Sequence, residues 1–234
     1  MDKAGRNAEL LCVHSGLAMA VLMTVGLNLA GFFPPPSAAL DAHAAAAIFA
    51  ENPNRIRFGA ILLMFAAVLY WPFSVAIALQ MRRIEGVWHP LATTQLLTAS
   101  ATAIAIMIPA FLWLTAAFRP TPVVEVTQAL NDLAWLMFLG AIPPAVIQVL
   151  AIAACVLLYA SQQVFPRWFG FFNLWAASAF LTGEALFFFH SGPFAWNGII
   201  SFWLAATVFF LWVSVCWYLL YCAAKIRANT GAAS

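Results

Sequence analysis

Charge is what this chain has least of. Lys and Arg number 10 and Asp and Glu 8, together 8% of 234 residues, where an average soluble domain carries about 25%. So sparse a set cannot clothe a water-exposed globule of this size. The surface must face something apolar, and a bilayer is the medium that fits. A net charge of +2 and the lack of any basic run beyond Arg82-Arg83 leave out the electrostatic footprint of a nucleic-acid binder. Cysteine is scarce too. Cys12, Cys155, Cys216 and Cys222 show no C-x-x-C spacing. All four fall in the inner halves of the spans assigned below, away from the oxidising side where disulfides form. They are expected as free thiols packed like small apolar residues rather than as metal ligands. Four scattered histidines are too few for a membrane di-iron enzyme. The motifs of soluble enzymes, G-x-S-x-G, the P-loop, G-x-G-x-x-G and H-E-x-x-H, do not occur. Lys225 lies at an inner boundary, out of position for a retinal Schiff base, and no cofactor is expected.

What the chain has in abundance is apolar length: 65% of its residues are hydrophobic, with 21 Phe and 10 Trp. Crossing a hydrocarbon core takes about 20 apolar residues. Six stretches qualify: Leu10–Phe33, Ile56–Met81, Pro90–Phe118, Leu133–Ala160, Phe169–His190 and Gly198–Ala224. They must be helices, because hydrocarbon offers no partners for free backbone N–H and C=O groups. With both termini inside, the inner segments hold Lys3, Arg6, Arg82, Arg83, Arg167, Lys225 and Arg227, and the outer segments hold only Arg55, Arg57 and Arg119. The preference of Lys and Arg for the cytoplasmic side selects that orientation. Trp88, Trp168, Trp196 and Tyr221 stand at or near span ends, where interfacial aromatics belong. The basic start and Ala42-His43-Ala44 resemble a signal peptide. The first apolar stretch, about 24 residues, exceeds the roughly 7–15 of a signal core.

Inner connections are short, Arg82–His89 and Ser161–Trp168, and two outer ones are longer. Pro34–Arg55 opens on three prolines and then reads as a short helix, Ala45–Glu51, ended by Pro53. Arg119–Asp132 opens with Pro120 and Pro122 and continues as a second short helix, Val123–Leu130. A weak internal repeat accompanies this layout. Leu63-Met64-Phe65 recurs as Leu136-Met137-Phe138 at an offset of 73, and Pro120 falls on Pro193. Each unit runs outer segment, proline-bearing span, short inner loop, span, so the repeat is parallel and pairs spans two and three with four and five.

Several segments together carry a likeness: Gly31–Ser37 (GFFPPPS), Met81–Gly86 (MRRIEG), Ala117–Pro120 (AFRP), Leu130–Leu133 (LNDL), Phe165–Trp168 (FPRW) and Gly192–Gly198 (GPFAWNG) followed by Phe202-Trp203. In their order and spacing, over nearly the whole chain, this sequence resembles a family of bacterial integral membrane proteins. That family is common in actinobacteria, occurs also in proteobacteria, and has no established activity. The resemblance implies a polytopic helical membrane protein and carries over no catalytic residue.

Among polar residues Glu184 is the sharpest candidate. It lies six residues before His190, roughly 9 Å below the outer end of span five at about 1.5 Å per residue. A mid-membrane carboxylate costs about 2.5–3.5 kcal/mol to insert, so Glu184 should be protonated, paired or facing a wet cavity. Asn173, eleven residues earlier, shares its helix face, with Ala177 between them. On this reading Glu184→Leu weakens ligand binding but not insertion. Asp132, with Asn131, opens span four as a helix cap or as part of an outer site. Arg57 opens span two at a matching depth and could pair with Asp132 or Glu184, between which the sequence does not choose. His190 leads into a Gly- and Pro-bearing turn in which Trp196 is an interface anchor and Asn197 caps span six. Alternatively His190, Trp196 and Glu184 line an outer pocket. His14 and His89, at similar inner depth on spans one and three, could hold haem. Thr94, Thr98 and Thr102, beside Ala99 and Ala103, make span three a close-packing helix or, with Gln95, a polar path. Pro72 and Pro143-Pro144 kink or locally open their helices.

The expected fold is thus all-α: one domain, a bundle of six transmembrane helices with two short outer-face helices, in a bacterial cytoplasmic membrane. Three functions remain open. The chain binds or transports a small apolar or amphipathic molecule through an outer-facing cavity, serves as a non-catalytic accessory subunit among other membrane subunits, or holds haem or quinone as a redox subunit. Six helices alone choose none of them.

Overall fold

The computed structural model describes residues 3–119, 123–159 and 164–231. Pro120, Pro122 and the first residues of the second inner connection lie outside the described residues. Within them the chain is all-helical: α1 (Lys3–Ala30), α2 (Ala42–Glu51), α3 (Pro53–Glu85), α4 (Pro90–Ala116), α5 (Val124–Gly140), α6 (Pro143–Leu158), α7 (Arg167–Leu181) and α8 (Ala205–Gly231). A 3₁₀ stretch, Thr182–Phe188, extends α7, and a π-helical turn, Ile199–Leu204, leads into α8. Six segments are long and apolar enough to span a bilayer: Ala4–Ala30, Pro53–Glu85, Pro90–Ala116, Val124–Leu158, Arg167–Phe188 and Ile199–Lys225. Large apolar side chains, among them Val21, Phe65, Leu97, Ile104, Leu174 and Leu211, stand exposed at mid-span. Hydrocarbon is the medium that tolerates such a belt. The chain is a multi-pass membrane protein.

Six crossings leave the start of α1 and the end of α8 on one face, the terminal face. His14 of α1 accordingly packs on Trp217 and Tyr221 of α8, with ring centroids 6.3 and 5.8 Å apart. The opposite face carries α2. The fourth span departs from expectation. Val123–Leu130 does not form a separate short helix, because α5 runs unbroken from Val124 through Gly140. Asn131-Asp132 therefore lies inside a helix and caps nothing. No glycine or proline interrupts residues 124–139, so the helix begun at the surface simply continues into the membrane.

Local chemistry sets the ends. Gly31 takes φ 75° after α1. Its N–H reaches the Asn28 carbonyl at 3.1 Å and the Phe32 N–H reaches the Leu27 carbonyl at 2.8 Å, the paired bonds of a Schellman cap. The cap turns Phe32 inward against Trp113 and Trp135, at centroid distances of 4.8 and 5.5 Å. Asp41 caps α2 by accepting from the Ala44 N–H at 2.8 Å. Pro53 does more than end α2: it opens α3, where the missing N–H is no loss. On the terminal face the buried Glu85 carboxylate accepts from the N–H groups of Leu91 at 3.0 Å and Ala92 at 2.7 Å, closing the turn between α3 and α4.

The tightest helix pair is α1 with α3. A Cβ on Gly26 would stand 2.8 Å from the Gly59 carbonyl oxygen, and one on Gly59 would stand 2.5 Å from that of Gly26, so the two backbones touch. Nearer the terminal face, Arg83 donates to both carboxylate oxygens of Glu9, at 3.2 and 3.3 Å, and to Gln80 Oε1 at 2.7 Å, while the Gln80 amide also donates to Glu9. The repeat seen in sequence is weakly expressed. Phe65 faces outward whereas Phe138 packs on Trp113 and Trp135, and α3 continues through Pro72 where span four is interrupted.

Regular hydrogen bonding fails at several points along the bundle. Pro143 and Pro144 lack N–H groups, so the carbonyls of Leu139 and Gly140 lose their helical donors and the span breaks at Ala141-Ile142. Pro109 does the same to the Ala105 carbonyl within α4. The π-helical turn widens the start of span six.

Replacing Gly59 with leucine should force α1 from α3. Overpacking of this kind costs about 1–3 kcal/mol, with more expected here because backbone rather than side chain is struck. A drop in the detergent thermal-unfolding midpoint larger than that of Val21→Leu, at an exposed position of α1, would bear this out.

Candidate functional site

Where those irregular segments meet, the helices leave a cavity of about 120 Å³, on the order of the roughly 150 Å³ apolar void that admits benzene. Met23 and Leu27 of α1, Thr102, Ala105 and Ile106 of α4, Phe138 and Leu139 of α5, Phe180 of α7, and Phe202, Phe209 and Trp212 of the sixth span form most of its wall. The break at Ala141-Ile142 and the following Ala145 complete one side. Thr102 spends its hydroxyl on the Thr98 carbonyl at 3.0 Å. The polar feature of the wall is therefore one pair: Tyr70 of α3 donates its hydroxyl to Gln148 Oε1 of α6 at 2.9 Å. Gln148 is 1% exposed and its amide nitrogen has no partner among the described residues. An unpartnered amide in an apolar setting costs about 1–3 kcal/mol.

Part of the wall is shared with the outside of the bundle: Phe33 is exposed just past the end of α1. Ala141, Ile142 and Ala145 on one flank, and Ala206, Phe209 and Phe210 on the other, are partly exposed wall residues. Phe209 lies ten residues past Ile199, about 15 Å along the helix from its surface end. At that depth the exterior of a membrane bundle is hydrocarbon.

None of the six residues singled out from the sequence lines this cavity. Arg57 does not meet Asp132 or Glu184. Its guanidinium donates to the carbonyls of Ala117, at 2.6 and 3.1 Å, and Phe118, at 3.1 Å, and to Asn54 Oδ1, satisfying the open carbonyl end of α4. Asp132 is half-buried on α5, with Asn131 and His190 as its polar neighbours. His190 itself is exposed beyond the 3₁₀ stretch. Trp196 is not an interface anchor. It is 6% exposed and stacks on Trp135 at 6.4 Å, while its indole N–H donates to the Pro36 carbonyl at 2.9 Å. Asn197 caps no helix either; its side-chain oxygen accepts from the Ala38 N–H at 3.3 Å. These two bonds pin the Pro-rich loop after α1 to the turn before span six. Glu184 sits half-buried in the 3₁₀ stretch, with one carboxyl oxygen buried and unpartnered. Asn173 comes closest to the site. It is fully buried, donates to the Phe169 carbonyl at 2.7 Å and accepts from the indole N–H of Trp212 at 2.9 Å. It thereby holds one wall of the cavity in place without touching its interior.

The histidines have separate neighbours. His14 accepts from Trp217 at 3.3 Å and His89 contacts the Val87 carbonyl at 3.1 Å. Sequence reasoning missed Tyr70 and Gln148, and also Glu9 with Gln80. A signal for the first pair was present: each is a polar residue deep in a span and close to its proline, two residues before Pro72 and four after Pro144. Gln95 was noticed, and is fully buried with its amide unpartnered, but it lies outside the cavity wall. Compared with known protein families, curated proteins and solved structures, the chain shows no match. Function must therefore be read from this geometry alone.

Asn173 and Glu184 should part company when each is changed to leucine. Asn173→Leu strands a buried indole N–H and should cost about 1–3 kcal/mol. Glu184→Leu removes an unpartnered buried oxygen and should leave thermal stability equal or higher, with ligand occupancy of the cavity unchanged. Unfolding midpoints of the two variants in one detergent check the stability difference, and native mass spectrometry of Glu184→Leu checks cavity occupancy, where retained adduct contradicts the expectation raised by the sequence.

Proposed function

We propose that this chain binds a small, uncharged, lipid-soluble molecule in the mid-bundle cavity and takes it up from the bilayer rather than from water. The supporting observation is the cavity itself: an almost wholly apolar hollow at membrane depth, several of whose wall residues are partly exposed on the flank of the bundle. Pockets that hold small molecules share this build, a mostly apolar wall with a few convergent polar groups, here Tyr70 and Gln148. Helix breaks with freed backbone carbonyls at mid-membrane are characteristic of binding sites in transport proteins, which favours passage of the bound molecule as its use. The terminal face, rich in Lys and Arg, is the cytoplasmic face by the positive-inside preference. The likeness to bacterial membrane proteins supports a cytoplasmic membrane as the location.

Ala145 stands on the rim, half-exposed, beside the break in span four. Ala145→Trp should plug the cavity while leaving the helices intact. Native mass spectrometry of protein extracted with its lipids should show a small apolar adduct on the wild type and none on a variant of equal helicity. Matching spectra from both proteins would refute the proposal.

A further inference from the structure

Resting on that reading, the pairing of Tyr70 with Gln148 points to the class of molecule bound: we infer that the ligand carries a hydrogen-bond acceptor, a carbonyl or ester oxygen, received by the amide nitrogen of Gln148. The Gln148 side chain is 1% exposed and lines the cavity. Its oxygen is already committed to the Tyr70 hydroxyl at 2.9 Å, which fixes the amide and leaves Nε2 as the free end. Tyr70 is itself held by the fold, since the Ser74 hydroxyl donates to its carbonyl at 2.8 Å. Nothing else in the wall competes for the acceptor. Thr102 gives its hydroxyl to the Thr98 carbonyl, and Trp212 gives its N–H to Asn173. Among the described residues no Lys, Arg or His side chain lines the cavity, so an anionic acceptor would enter without a counter-charge, and the acceptor is neutral. A donor buried without a partner discriminates, because a ligand lacking the acceptor leaves it unsatisfied in a medium with no water.

Two probes of one shape test this. Acetophenone and α-methylstyrene differ only in an oxygen replaced by a methylene carbon. Binding of each to the intact protein in alkyl-maltoside micelles is measured after correction for partition into empty micelles. Acetophenone should bind roughly 2- to 10-fold more tightly than its hydrocarbon twin. The Gln148→Leu variant should lose that preference while keeping α-methylstyrene. The infrared carbonyl stretch of ¹³C-labelled acetophenone bound to the wild type should fall below its frequency in micelles, a reading that needs no variant and decides the matter if Gln148→Leu fails to fold. Equal affinity for the two probes with an unshifted stretch overturns the inference, the amide then being satisfied by a trapped water or left idle, while the cavity still stands as a binding site. Failure of both probes to bind, with wild type and Ala145→Trp behaving alike, overturns the cavity reading along with it.

Discussion

Hydrocarbon cannot hydrogen-bond a peptide group, and nearly every feature of this molecule follows from that constraint. It forces six helical crossings, and it demands a reason wherever a helix is interrupted below the surface. The protein interrupts its helices deliberately. Pro143 and Pro144 follow directly on Gly140-Ala141-Ile142, so the fourth span must release two carbonyls at a depth where no solvent can take them up. Pro109 releases another in the neighbouring helix α4, and a π-helical turn loosens the entrance of span six. These irregularities converge on one apolar hollow. A bundle selected only for packing has no use for such a hollow, since voids forfeit dispersion contacts.

Around the hollow the structure is tied down by bonds that do not enter it. The Gly26–Gly59 crossing sets α1 against α3, and Glu9 with Gln80 and Arg83 secures the same pair at the terminal face. Asn173 steadies Trp212, and Arg57 closes the end of α4. At the other face Trp196 and Asn197 anchor the proline loop, and Phe32, Trp113, Trp135 and Trp196 fill the space beneath it. The Tyr70–Gln148 bond differs from all of these: it joins two helices at the cavity wall and still leaves a donor unspent.

The helical, membrane-spanning character was open to reading because it rests on average properties, apolar length and missing charge, that survive without knowledge of contacts. The helix breaks were partly readable too, since proline acts locally. The site was not. Glu184 and Asp132 drew attention as costly charges, yet cost is relieved by local position: one lies in a 3₁₀ stretch near a surface, the other on a helix that starts two turns earlier than hydropathy indicated. Trp196 was taken for an interfacial residue because tryptophan often is, and only the fold of a loop 160 residues away turns its N–H to Pro36. Tyr70 and Gln148 lie 78 residues apart. No periodicity links them, because their meeting depends on how spans two and four cross.

That the hollow opens to lipid and not to water is the claim on which binding and ligand class both depend. A nitroxide spin label placed at Phe210→Cys on its rim, in protein whose native cysteines are replaced by alanine and which is reconstituted in vesicles, addresses it directly. Frequent collision with dissolved oxygen and protection from a water-soluble nickel chelate is the predicted result. Ready access of the nickel chelate to that position would contradict it.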